Sequence, residues 1–121
     1  MHVVSVHTAE HYVWGNRCDG WHLIRSAECS VIQERMPPHT AEVAHFHSHS
    51  RQFFYVLCGK LSIVVEGAVQ VLSPEDGLEV APKIIHRVFD DTDSDVRFIV
   101  SRLRRHMETE LSPPINEESE S

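Results

Sequence analysis

The sequence predicts an all-β domain, an antiparallel double-sheet jelly-roll β-barrel. Three observations lead there. The body of the chain shows no long helical periodicity. Short runs of β-branched and aromatic residues recur instead, at a spacing of about 8–12 residues, with Gly, Pro or acidic turns at the joints. A length of 121 residues suits one domain and leaves little room for a second.

The elements follow in order. Residues 30–35 form one run, stopped by Pro37-Pro38, and residues 41–47 form the next. Residues 52–58 are rich in aromatics and end at Gly59. In 61–65, Leu61, Ile63 and Val65 alternate with Ser62 and Val64, and the run closes at Glu66-Gly67. Residues 68–72 end at Ser73-Pro74, residues 78–81 end at Pro82, and residues 84–89 lead into the acidic loop 90–95. Residues 96–103 form the last strand. Gly59-Lys60 and Glu66-Gly67 read as tight hairpin ends, which favours antiparallel pairing. Eight such runs suffice for a double-sheet jelly roll.

The flanks read differently. Over 1–29, Trp14-Gly15 and Gly20-Trp21 suggest turns flanked by aromatics, and 21–24 reads as an extra strand. This segment is expected to pack on the barrel as a flap or end cover, or to add to a partner's sheet. The barrel itself is expected over 30–106. Residues 102–110 suggest a short helix. The acidic tail 107–121 carries Glu108, Glu110, Glu117, Glu118 and Glu120, and its stretch 111–121, with Pro113-Pro114, reads as disordered.

Composition narrows the function. The formal charge is −7 and no basic stripe is present, which argues against nucleic-acid binding. No stretch approaches the roughly 20 apolar residues of a membrane span, and residues 1–10 lack the pattern of a signal peptide. Cys18, Cys29 and Cys58 are odd in number and match no zinc spacing. Free thiols in a cytoplasmic protein are therefore expected, with Cys58 packed in its strand.

Histidine stands out, with 10 residues, and His39, His45, His47 and His49 fall close together. Such clusters commonly hold metal. Along a strand, i and i+2 face one side, so His45 and His47 project together and Phe46 points away. His49 follows Ser48 in a loop-like stretch and is expected to leave the site. Gln52 is the polar member of a face shared with Phe54, Val56 and Cys58, and a buried amide needs partners. His86 sits between Ile84 and Val88 on one face. The barrel lining is expected from Phe54, Val56, Ile63, Val65, Ile84 and Val88, with Tyr55 and Arg51 near the mouth. His39 reads as an exposed turn residue. His2, His7, His11 and His22 have no partner spacing.

Two segments resemble the motifs of the cupin family. In the first, His45-Phe46-His47 is followed by four residues, Gln52, six residues and Gly59. In the second, Gly77, Pro82, His86 and Asp90 occupy the family's glycine, proline, histidine and asparagine positions. Ile84 replaces the usual glycine, and Gln52 stands where the family carries an acid. The resemblance spans about 30–103 and is closest to small single-domain cupins with glutamine at the acid position. It implies a divalent transition metal (iron, manganese, nickel, zinc or copper) held by His45, His47, Gln52 and His86. It also implies a homodimer, for which Tyr12, Trp14 and Trp21 offer apolar surface.

A neutral ligand set leaves the ion's charge uncompensated. The site should bind metal more weakly than one with a carboxylate and should favour an anionic substrate. The functional expectation is a metal-dependent enzyme acting on a small organic molecule by oxygenase, isomerase or lyase chemistry. The alternative is a non-catalytic cupin that binds or senses a small ligand. No catalytic residue and no organic cofactor is assigned.

Overall fold

The computed structural model describes residues 2–104. Those residues form ten strands: β1 (Glu10–Trp14), β2 (Cys18–Arg25), β3 (Cys29–Met36), β4 (Thr40–Ala41), β5 (Ser50–Cys58), β6 (Leu61–Val65), β7 (Ala68–Leu72), β8 (Gly77–Val80), β9 (His86–Asp90) and β10 (Val96–Arg104). They make a six-stranded sheet, ordered β1-β2-β3-β10-β5-β8, and a four-stranded sheet, ordered β4-β9-β6-β7. All the pairings are antiparallel. The fold is the all-β jelly roll expected from the strand pattern.

Strand alternation decides what lies between the sheets. On β3, Ile32, Glu34 and Met36 are buried; on β5, Gln52, Phe54 and Val56; on β10, Val96, Phe98 and Val100. Leu61, Ile63, Leu72 and Val88 face them from the smaller sheet. Each large apolar side chain removed from water contributes about 1.5–3 kcal/mol. Val65 and Ile84, also expected in the lining, are partly buried against this core.

The β5–β6 hairpin needs glycine. Gly59 has φ of 80°, and a Cβ there would run into the Asp95 carbonyl. Just before it, Cys58 is exposed, where the sequence suggested a packed thiol. The cause is a bulge: β10 pairs Phe98 with Val56 but Arg97 with Cys58, so Leu57 is extra and the alternation breaks.

The expected strand over 41–47 shrinks to Thr40–Ala41 plus one isolated bridge, His45 to His86. Glu42 explains the interruption. Its backbone N–H donates to the Val88 carbonyl at 3.1 Å, while its side-chain carboxylate accepts the Val88 N–H at 2.9 Å. The side chain thus takes a ladder position that a backbone carbonyl would fill. Residues 43–44 leave the ladder, and pairing resumes at His45.

At the N-terminal side, β1 and β2 form a hairpin that extends the chain's own larger sheet. Tyr12 and Trp14 pack against the barrel's own core, and the Arg97 guanidinium lies over the Trp21 ring at 5.7 Å. Gly20 makes this possible, because a Cβ there would fall inside the Tyr12 ring. At the other end, Arg102–Arg104 belong to β10 rather than to the suggested helix. The rest of that helix and the acidic tail lie outside the described residues. Among the described residues, no helix is long and apolar enough to cross a membrane.

Candidate metal centre

His45, His47 and His86 come together in the interior. One ring nitrogen from each lies within 4.8 Å of the others, and all three residues are buried. The ring centroids stand 4.7 Å apart for His45 and His86, 5.2 Å for His45 and His47, and 6.0 Å for His47 and His86. His86 comes from the start of β9. His45 is pinned beside it by a reciprocal backbone pair, His45 N–H to His86 carbonyl at 3.0 Å and the reverse at 2.9 Å. His47 is held by the Lys83 N–H, which donates to its carbonyl at 2.7 Å.

The same short-range contact orients two of the rings. His45 Nδ1 lies 2.8 Å from the Val43 carbonyl, and His86 Nδ1 lies 2.9 Å from the Ile84 carbonyl. A carbonyl only accepts, so Nδ1 carries the proton in each ring. Nε2 is then an unprotonated lone pair, the form a metal requires. Burial favours the neutral form of His47 and His86. His47 is pushed down to about 3 by burial first, then by the charges of Arg102, His45 and His86. His86 is lowered chiefly by burial.

An orphaned ring nitrogen shows that the cluster suits a cation. His86 Nε2 and Gln52 Oε1 are buried with no hydrogen-bond partner among the described residues. Buried polar atoms without partners are costly, and a cation held by the three histidines would satisfy His86 Nε2. Gln52 is the third residue of β5 and pairs with Val80 on β8 and Arg102 on β10. The cluster can thus offer one imidazole nitrogen from each of three histidines.

A family model described as "Cupin domain" matches residues 32–102. The chain is a cupin. Its sequence is also 42% identical over 50 residues to the oxidoreductase OpS7 of Beauveria bassiana. That match covers 40% of this cupin and only 16% of OpS7. Solved structures share the fold at low identity. A predicted oxalate decarboxylase from Thermotoga maritima has a TM-score of 0.80 at 15% identity, covering 86% of this chain and 100% of its own. An RmlC-like cupin from Shewanella frigidimarina gives 0.76 at 20%, covering 90% and 96%. KdgF from Halomonas sp. gives 0.74 at 16%, covering 85% and 93%.

Other sequence expectations resolve around this cupin's cluster. His49 is outside the three-histidine group, as its loop position suggested. His39 is exposed and faces Asp93 at 2.9 Å. Tyr55 points away from the interior and stacks on Phe53 at 6.2 Å. Arg51 pairs with Glu79 at 2.7 Å and borders a cavity beside Ser48 and His49. Asp90, at the family's asparagine position, is buried and accepts from the Thr92 N–H and hydroxyl at 2.9 and 2.8 Å.

Several interior polar groups were not expected from the sequence. Tyr12 donates to Glu34 at 3.2 Å, and burial pushes the Glu34 carboxyl up to about 7. Burial likewise pushes Glu42 up to about 8. His22 stacks on Tyr12 at 4.9 Å. Arg102 shares the inward parity of Phe98 and Val100. Glu34 and Arg102 were legible by that parity alone. His22 was not, because its place depends on how β2 pairs with β3.

Proposed function

We propose that this cupin binds a divalent transition metal through His45, His47 and His86, with the Gln52 amide oxygen as the fourth protein donor or hydrogen-bonded to it. The metal serves an enzymatic reaction on a small organic molecule admitted to the barrel. The observation that carries this reading is the buried group of three histidines whose ring nitrogens lie within 4.8 Å of one another, two of the rings turned so that Nε2 is the free lone pair. When bound, such a metal supplies a Lewis acid or a redox centre. The chain's own residues hold neutral donors at fixed orientation, exclude water with Phe54, Val56, Ile63 and Val88, and leave the cation's charge uncompensated. An anionic substrate is therefore favoured over a neutral one. The partial similarity to an oxidoreductase supports redox chemistry.

The test is elemental analysis of protein purified without added metal, followed by turnover assays on small organic acids. About one transition-metal ion per chain, lost on His47→Ala, supports the centre. A folded protein with no metal and no uptake overturns it. Metal without turnover on any acid would favour the ligand-sensing alternative.

Two further readings belong with this one. Pairing of two copies suits the outer face of the larger sheet, where Phe53, Tyr55 and Leu103 stand 42%, 36% and 53% exposed. A monomer mass by light scattering at micromolar concentration would refute pairing. The three free thiols fit a reducing, cytoplasmic setting.

A further inference from the structure

The inward face of the larger sheet continues past Gln52 into cationic ground. Arg102 is the register partner of Gln52 on β5 and of Ser30 on β3, so its side chain rises beside the proposed metal donor. Next to it lies a cavity of about 310 Å³ bordered by His22, Arg25, Ser30, Ile32, Arg102 and Arg104. That size is at the lower end of small-molecule sites, about 300–1,000 Å³. Three guanidiniums border the cavity against one carboxylate, Glu28, in a chain whose formal charge is −7.

The surroundings add to this asymmetry. Arg104 also borders a second cavity of about 620 Å³, with Arg51, Lys83 and His49 and, among the described residues, no acidic side chain in its lining. Glu10 and Glu79 do pair with Arg25 and Arg51, but both pairs are half or more exposed and hence screened. His22 Nδ1 is buried and lacks a hydrogen-bond partner among the described residues.

We propose that the cavity bordered by His22, Arg25, Arg102 and Arg104 is an oxyanion subsite, which seats the carboxylate or phosphate of a small ligand beside the three-histidine centre. This rests on the reading of the barrel interior as a ligand site and deepens it by naming the ligand class. A guanidinium fork matches either oxyanion with two parallel N–H bonds. An excess of positive charge in a cleft also concentrates anions. Arg102 supplies the inner contact and Arg104 the rim contact. The uncompensated cation and the guanidiniums then act in the same direction.

Malonate and inorganic phosphate serve as probes, titrated calorimetrically into the protein as purified and after metal removal, with malonamide as the neutral control. One or both anions bind and malonamide does not; the tighter of the two assigns the oxyanion. Arg102→Gln weakens that binding about tenfold or more, and Arg102→Lys weakens it less. Arg104→Gln, at the rim and less exposed to folding failure, weakens it several-fold. Unchanged affinity in folded Arg102→Gln and Arg104→Gln, equal binding of malonamide, or no anion binding at millimolar concentration overturns the subsite. Anion binding through Arg102 in a protein that takes up no metal would remove the metal centre and leave the subsite standing. Metal uptake with anion binding indifferent to both arginines would do the reverse.

Discussion

Replacing Glu34 by Gln should stabilise the protein at alkaline pH and do almost nothing at acid pH. Glu34 is buried at 4% exposure in the middle of β3, where the Tyr12 hydroxyl donates to it at 3.2 Å. Burial, only partly offset by Tyr12 and Arg102, moves its carboxyl from an ordinary 4.5 to about 7. The folded state therefore binds the proton more tightly than the unfolded state. Stability then falls as pH rises, wherever the folded chain holds more protons. The cost is absent below about pH 4.5, grows up to about pH 7 and is complete above it. Each pH unit is worth 1.36 kcal/mol, so the full cost is about 3 kcal/mol. Glutamine keeps an acceptor for Tyr12 and removes the charge. Glu42 is raised in part by Glu34, so losing that charge also relieves Glu42 and adds to the gain. The assay is urea unfolding of metal-free protein at pH 4.5 and pH 8.5, for wild type and Glu34→Gln. The expected difference is about 3 kcal/mol at the higher pH and near zero at the lower, and a stability difference of this size moves Tm by roughly 10 °C or more. Equal differences at the two pH values would show that Glu34 ionises normally and is better solvated than its position implies.

Further outcomes follow from the same geometry. Gly20→Ala should cost about 2–4 kcal/mol, because the new methyl group displaces the Tyr12 ring and breaks its bond to Glu34; a loss no larger than that of Tyr12→Phe would refute the steric account. Gly59→Ala should destabilise by a similar amount, since the hairpin combines a positive φ with backbone contact at Asp95, and an unchanged urea midpoint would contradict this. His47→Ala should abolish stoichiometric metal uptake, while full metal content in a folded mutant would sink the ligand assignment. Gln52→Glu should raise metal affinity and weaken anion binding, because the carboxylate neutralises part of the cation's charge. A less stable Gln52→Glu protein with unchanged metal affinity would place the amide away from the centre.

Much of the centre was legible in the sequence. His45 and His47 share parity in an extended segment, and His86 lies at the second motif's histidine position; the three side chains do converge. What the pattern could not convey is how His45 is held. A regular strand over 41–47 would have paired throughout, whereas the Glu42 side chain replaces a backbone acceptor and His45 rejoins alone. That substitution is a choice between two acceptors of similar strength, and local propensity does not distinguish them. Cys58 shows the same limit. Its parity with Gln52 was correct along an unbroken strand, but a bulge opposite Arg97 and Phe98 reversed it.

By itself the sequence determined the class of fold, most strand positions, the turn glycine at Gly59 and the histidines that meet. These depend on periodicity, turn chemistry and spacing, all carried within short stretches of chain. Tertiary structure decided where the N-terminal aromatics go, which carboxyl burial pushes upward, and that His22, Arg25, Arg102 and Arg104 border one cavity. Those facts join residues from strands far apart in the chain, β1 and β2 with β3 and β10. Burial and electrostatic neighbourhood arise only when such strands pair, so no local pattern encodes them.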